Sequence, residues 1–178
     1  MQTLKLLIMK RFISILLASM FIIGLSLNLS AQSSEDELDQ VELIKQFQGT
    51  WEWNMGKDTL TLLSFTPQND GFLFVQENKA NGEAYETFKG VIGFSNDKQM
   101  IYVAGTTRDG TLILDNGKFE TKTTCTFDRY YGNTSHAAEM VQWEFLTPES
   151  CVARAKWRGD GMAWPTDWND WGTLKKVK

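Results

Sequence analysis

From residue 49 onward, short runs of β-branched and aromatic residues alternate with turn residues, and apolar side chains recur at every second position. This alternation is typical of strands that bury one face. No long segment has helical periodicity, which excludes parallel strands joined by crossover helices. The pattern predicts ten strands, the first of them marginal, near 51–54, 59–66, 71–78, 84–94, 99–105, 110–115, 118–127, 137–146, 150–157 and 170–177.

Turn signals separate these runs at Asn69-Asp70-Gly71, Asn81-Gly82, Asp109-Gly110 and Asn116-Gly117. Such residues supply the positive φ angles that tight hairpins need, and the strongest of the four signals is Asn116-Gly117. Successive hairpins make an antiparallel meander, and closure into a barrel removes its exposed edges. We therefore predict an all-β fold, a single up-and-down barrel of about eight to ten strands. A two-sheet sandwich is the alternative.

Alternation also predicts which side chains face the interior. Charged residues such as Lys118 and Glu120 mark a solvated face, so the residues between them point inward. The predicted inward residues are Phe88, Ile92 and Phe94; Phe119, Thr121, Thr123, Cys125 and Phe127; Val141, Trp143 and Phe145; and Cys151, Ala153, Ala155 and Trp157. This assignment places no paired carboxylates and no histidine in the interior.

The two cysteines, Cys125 and Cys151, both fall on inward positions, with strand 137–146 between their strands. Strands two apart in a sheet are separated by ~9.5 Å, whereas a disulfide requires Cα atoms within ~7 Å. We therefore expect two buried free thiols. A disulfide is the alternative, since an oxidising compartment favours one.

Connection lengths differ between the two ends of the predicted meander. At the end where residue 49 begins, the turns near 67–70, 95–98, 116–117 and 147–149 are all short. At the opposite end, the connections 128–136 and 158–169 are the longest in the domain. Long loops on one rim of a rigid scaffold often carry binding residues. We therefore expect these two loops to lie together, with Arg129, Tyr130, Trp164 and Trp168 among the candidate contacts.

The N-terminal segment 1–31 has the pattern of a cleavable signal peptide. Lys5, Lys10 and Arg11 precede an apolar run, and Ala31 offers a small residue at the cleavage point. An uncleaved membrane anchor is the alternative. Residues 32–48 follow as a segment with a short helix, because apolar positions between 36 and 47 share one helical face and Ser34 is a plausible N-cap. The barrel domain then covers 49–178.

Charge and motif content exclude several functions. Three of the 18 basic residues lie in the leader and all 22 acidic residues follow it, so the mature chain has a formal charge of −7. Such a chain lacks the basic surface that nucleic acids or anionic membranes require, and no stable membrane anchor is expected after cleavage. The single histidine, His136, has no second ligand at metal-binding spacing, and no nucleophile motif is present. We predict no cofactor, metal or catalytic residue, and oligomeric state stays open.

The Gly49-Thr50-Trp51 motif, which follows a short helical segment and opens a series of strands, resembles the calycin superfamily. That superfamily includes lipocalins, fatty-acid-binding proteins and lipocalin-like domains of secreted bacterial proteins. The resemblance implies a small barrel with an internal cavity, a helical turn that plugs one end, and a tryptophan packed over the barrel floor. Lipocalins stack a C-terminal arginine on this tryptophan, and Lys175 or Lys176 is the counterpart that this chain offers.

Three functions are compatible with the sequence. The first is an exported, periplasmic or extracellular barrel that holds a small hydrophobic or amphiphilic molecule between Phe88, Thr123, Trp143 and Trp157. The second is an interaction module that uses the tryptophan-rich rim to contact a protein or glycan; Trp164 and Trp168 also suit a lid. The third is an enzyme, since some calycins isomerise or cyclise lipids. Cavity volume distinguishes the first from the second.

Overall fold

A computed structural model of the chain describes residues 38–54, 59–80, 83–132 and 134–177. The predicted signal peptide, the Ser34 N-cap and the Asn81-Gly82 turn lie outside the described residues. Neither helical segment in the described part has the length and apolar character needed to cross a membrane.

The described residues form one closed antiparallel barrel of ten strands. Each strand pairs with its neighbours in sequence, and the first pairs with the last, which leaves no exposed edge. The all-β, up-and-down barrel predicted from the sequence is confirmed. The strands are β1 Gly49–Asn54, β2 Thr59–Gln68, β3 Gly71–Ala80, β4 Glu83–Ser95, β5 Met100–Thr107, β6 Leu112–Phe119, β7 Thr124–Tyr131, β8 Glu139–Thr147, β9 Ser150–Trp157 and β10 Asn169–Val177.

A short helical segment closes the end of the barrel where β1 begins, which we call the bottom. It consists of α1, Gln40–Leu43, and a 3₁₀ turn, Ile44–Phe47. The Asp39 carboxylate caps α1 by accepting a hydrogen bond from the Glu42 amide at 3.0 Å. The buried Gln40 side chain pairs with the backbone of Phe119 in both directions, at 3.0 and 2.7 Å. These bonds satisfy the backbone at the end of β6 and fix the helix against the sheet.

The floor of the barrel is built around Trp51, which is 1% exposed. Its indole N–H donates to the Phe47 carbonyl oxygen at 2.7 Å, which ties the first strand to the helical segment. The Lys176 ammonium lies 4.7 Å from the centre of the Trp51 ring. Such a cation over the face of an indole is attracted by the ring quadrupole. The expected counterpart of the stacking arginine is therefore Lys176.

The predicted turn at Asn116-Gly117 is wrong, since both residues lie inside β6. Asn116 is opposite Asp128 and Gly117 is opposite Phe127. A Cβ on Gly117 would lie 2.1 Å from the Thr126 carbonyl oxygen, so this glycine allows β7 to approach closely and does not form a turn. The hairpin instead turns at 120–123, where the Thr121 hydroxyl accepts hydrogen bonds from the amides of residues 123 and 124 at 3.2 and 3.0 Å.

This shift of the turn corrects two of the predicted faces. Phe119, Cys125 and Phe127 are buried as predicted, but Thr121 and Thr123 are exposed at the bottom of the barrel. Elsewhere the prediction of inward residues is confirmed for the buried side chains Phe88, Ile92, Val141, Phe145, Cys151, Ala153 and Ala155. Both cysteines are free and buried, which confirms the expectation of two buried thiols.

The two long connections share the end of the barrel opposite the helix, which we call the top. β7 and β9 both run from bottom to top, so the residues that follow each strand meet there. Arg158 bridges them, because its Nε donates to the Ala137 carbonyl oxygen at 3.0 Å. His136 Nδ1 lies 3.4 Å from an Asp160 carboxylate oxygen. The expected contact between the two long loops is confirmed.

Candidate functional site

The barrel contains a cavity of about 740 Å³. It extends from Phe47, in the helical segment at the bottom, to Trp157 and Asp170 at the top. This volume lies within the range of about 300–1,000 Å³ that is usual for small-molecule sites. The interior is therefore not filled by the protein's own side chains.

The lower wall of the cavity is aromatic. The Phe65 and Phe74 rings stack with centres 4.6 Å apart, and Phe47 meets the Trp143 ring edge-on at 5.4 Å. Higher up, Trp53 stacks on Trp171 with ring centres 5.4 Å apart. The Trp53 indole N–H donates to the Trp171 carbonyl oxygen at 2.7 Å. The polar atom of Trp53 therefore already has a hydrogen-bond partner within the protein. Rigid rings in fixed contact give the cavity a preformed apolar surface.

A polar row crosses the upper half of this cavity. The strand register places Asp115 of β6 opposite Arg129 of β7, and Arg129 opposite Glu139 of β8. Trp157 of β9 continues the row beside Glu139. Because cross-strand neighbours on one face are about 4.5–5.5 Å apart at Cβ, these three charged side chains meet inside the barrel. All four residues of the row line the cavity.

The charged groups of the row pair with one another. Arg129 donates from Nε and Nη2 to the two Asp115 oxygens, each at 2.9 Å, and from Nη1 to Glu139 Oε2 at 3.3 Å. The Tyr131 hydroxyl donates to the same Glu139 oxygen. Glu139 is 1% and Asp115 5% exposed. Bidentate pairing of this kind is what makes burial of these charges tolerable.

The surroundings of Arg129 and Tyr131 hold both side chains in their protonated forms. Burial by itself would lower the pKa of Arg129, but the adjacent Asp115 and Glu139 carboxylates outweigh it and raise that pKa above its ordinary value. Burial, together with the hydrogen bond to Glu139, raises the pKa of Tyr131 to about 12. Near neutral pH the arginine is therefore charged and the tyrosine protonated. With two carboxylates and one guanidinium, the cluster has a formal charge of −1.

Four of the eight residues predicted for the site line the cavity: Phe88, Arg129, Trp143 and Trp157. Phe88 is 6% exposed and belongs to the apolar wall, whereas Trp157 is 46% exposed and lies at the top. Arg129 was expected in a rim loop, but it lies within β7 and faces the interior. All four side chains therefore line the same cavity.

The other four predicted residues lie elsewhere. Thr123 is in the bottom turn and exposed, so the prediction that it faces the interior is wrong. Tyr130 alternates with Arg129 and lies on the outer face of β7. Trp164 and Trp168 pack against outward-facing cations, with Arg158 Cζ 4.2 Å from one ring centre and Lys156 Nζ 4.5 Å from the other. Neither of these last two lines the cavity, and their predicted contact with a ligand or partner at the rim is the alternative to binding inside the barrel.

The sequence interpretation missed the acidic members of the row, and its expectation of no paired inward carboxylates is wrong. Glu139 has the same parity as Val141 and Trp143, so continuing the alternation by one step would have placed it inside. Asp115 was assigned to the end of a strand, because the next two residues were interpreted as a turn. Tyr131, Trp53 and Trp171 also line the cavity without having been predicted to do so.

Among the described residues, no group of three or more His, Cys, Asp or Glu side chains could hold a metal ion. Compared with models of known families and with curated proteins, the chain matches none of them. The candidate site therefore has to be interpreted from its own geometry.

Proposed function

We propose that this protein is an exported, lipocalin-like barrel that binds a small hydrophobic or amphiphilic molecule in its interior. The observation that carries this proposal is the cavity of about 740 Å³, with an aromatic lower wall and one polar row. An apolar pocket with a few placed polar groups is the usual design of a small-molecule site. A ligand-free structural barrel would gain stability by filling this space.

Membership of the calycin superfamily is part of the proposal. It is supported by the closed meander, by the helical segment at the bottom, and by Trp51 packed there beneath Lys176. Export is also part of it and rests on the pattern of residues 1–31. N-terminal sequencing of secreted or periplasmic protein should then begin at Gln32. Full-length protein retained in the inner membrane would contradict export without affecting the proposed binding.

The geometry favours binding over proton-transfer catalysis. Tyr131 and Arg129 are two of the polar groups on the cavity wall, and both hydrogen-bond to Glu139. A general acid or base works best with a pKa near the working pH. The pKa of Tyr131 is raised to about 12, and Arg129 is held as a cation by two carboxylates. Both groups are therefore suited to fixed hydrogen bonding.

The proposal is tested by native mass spectrometry of protein purified from its own host without detergent. We expect a population heavier than the polypeptide, which loses the added mass when the protein is denatured. The denatured sample is the matched control, because covalent modification would persist in it. Only the polypeptide mass, together with no binding of a neutral fluorescent probe by the folded protein, would contradict the proposal.

A further inference from the structure

The polar row constrains what the cavity can hold. We propose that its ligand carries an uncharged or cationic polar group that donates hydrogen bonds, such as a hydroxyl or an ammonium. The cavity should bind an anionic amphiphile more weakly than an uncharged or cationic one of the same chain length. This inference rests on the proposed function, because it concerns the ligand of the same cavity.

The row carries more negative than positive formal charge. Arg129 is its single cation, and it faces two buried carboxylates, Asp115 at 2.9 Å and Glu139 at 3.3 Å. A ligand carboxylate that approached Arg129 would meet a cluster with a formal charge of −1. To form its own bidentate pair it would have to displace Asp115, which would then be buried without a partner. The arginine therefore neutralises the protein's own carboxylates and is not a receptor for a ligand anion.

The row also leaves a hydrogen-bond acceptor for a ligand, the second carboxylate oxygen of Glu139. Arg129 and Tyr131 both donate to Oε2 of Glu139. Within the described part of the chain, Oε1 of this buried residue accepts no comparable bond. Glu139 lines the cavity, so a ligand can reach it. A carboxylate oxygen accepts hydrogen bonds, so a ligand group that bonds to Oε1 has to be a donor. A hydroxyl or an ammonium supplies that donor, whereas a ligand carboxylate or sulfate cannot.

The position of the row sets the orientation of the ligand. Glu139 is the first residue of β8, and Arg129 is third from the end of β7, so both lie near the top. Phe47, Phe65 and Trp143 form the apolar wall towards the bottom. An amphiphile thus fits with its hydrocarbon chain against these rings and its polar group beside Glu139.

The test uses three ligands that share a dodecyl chain and differ only in the polar group: dodecanol, dodecylammonium and dodecanoate. Each ligand is titrated into the full protein in the presence of the neutral fluorescent probe N-phenyl-1-naphthylamine, and displacement of the probe is measured. The titration is done at neutral pH and below the concentration at which the ligand aggregates. We expect dodecanoate to bind at least about tenfold more weakly than dodecanol, since placing like charges together in a buried site is strongly unfavourable. Dodecylammonium should bind at least as tightly as dodecanol.

Two variants, both in β8, test whether this selectivity arises from the polar row. Glu139→Gln keeps the shape of the side chain and changes the formal charge of the cluster from −1 to zero, so most of the tenfold penalty on dodecanoate should be lost. Glu144→Gln is the matched control. Glu144 is on the outer face of β8 and pairs with Arg154 at 3.1 Å, so its substitution should leave the ranking unchanged.

Dodecanoate that binds as tightly as dodecanol to the wild-type protein would overturn the inference and leave the proposed binding intact. An unchanged penalty in folded Glu139→Gln would also overturn it. If that variant does not fold, the wild-type ranking decides. Failure of all three ligands and of the probe to bind would instead overturn the proposed function itself.

Discussion

At the scale of single residues, Trp51 connects the three parts of the chain that close the bottom of the barrel. Its N–H bonds to Phe47 in the helical segment, its ring meets Phe145 edge-on at 5.9 Å, and Lys176 of the last strand lies over its face. Trp51 therefore stabilises the closed end of the barrel in two ways. It buries apolar area, and it connects the helical segment, the first strand and the last strand.

Replacement of Trp51 by Ala should therefore lower the free energy of unfolding by about 3–5 kcal/mol, the usual cost of truncating a large core aromatic. Trp51→Phe keeps a ring but loses the indole N–H, so it should cost less. Chemical denaturation monitored by circular dichroism measures both variants. A Trp51→Ala midpoint close to that of the wild type would show that the tryptophan does not hold the floor.

The buried thiols give the barrel a dependence on alkaline pH. Burial raises the pKa of Cys151 to about 12 and that of Cys125 well above its ordinary value. Between the ordinary thiol pKa of 9.0 and the folded value, the unfolded chain releases a proton that the folded chain retains. Stability should therefore fall as pH rises through this window, by up to about 1.4 kcal/mol per pH unit for each thiol.

Urea unfolding at several pH values between 8 and 11 measures this slope. Cys151→Ala is the comparison variant, because it removes one of the two thiols whatever its effect on the absolute stability. Its slope should be shallower than that of the wild type. Equal slopes would mean that Cys151 does not titrate differently in the folded and unfolded states.

At the scale of elements, the hairpin between β6 and β7 shows how a glycine can have two uses. Asn-Gly is a strong turn signal, but Gly117 lies in a strand. A glycine is needed at this position because the backbone of β7 passes too close to leave room for a side chain. Gly93 in β4 is a natural contrast. A Cβ built there would meet nothing within 4 Å, and its φ is not positive.

Gly117→Ala should therefore destabilise the barrel by about 1–3 kcal/mol, since the new methyl group forces the two strands apart. Gly93→Ala should be neutral or stabilising by up to about 1 kcal/mol, since it reduces the freedom of the unfolded chain. Thermal unfolding of the pair checks both expectations. Equal effects at the two positions would contradict the role assigned to the close approach at Gly117.

At the scale of the whole molecule, period-two alternation predicted the closed barrel, most inward residues and the shared end of the two long loops. It failed where local and tertiary signals conflict. The turn was predicted at 116–117, so Thr123 was placed inside the barrel and Asp115 was placed at the end of a strand. The actual turn depends on how β6 and β7 pair, which the local sequence does not show. The polar row was missed because its charges are stabilised by partners on other strands, Arg129 with Asp115 and Glu139, and the linear pattern does not show such pairing.

We propose that the ligand lies inside the barrel and not on the tryptophan-rich rim. Val103 lines the cavity, and Val103→Trp adds bulk to a space that is large enough to receive it. Trp164→Ala is the rim control, because Trp164 packs on Arg158 and does not line the cavity. Circular dichroism verifies that both variants are folded.

The most direct test is a titration of both variants with N-phenyl-1-naphthylamine and dodecanol. We predict that folded Val103→Trp loses at least about tenfold in affinity for both, which corresponds to about 1.4 kcal/mol, whereas Trp164→Ala binds as the wild type does. Wild-type affinity in folded Val103→Trp, together with loss of binding in Trp164→Ala, would contradict binding inside the barrel and place the ligand on the rim.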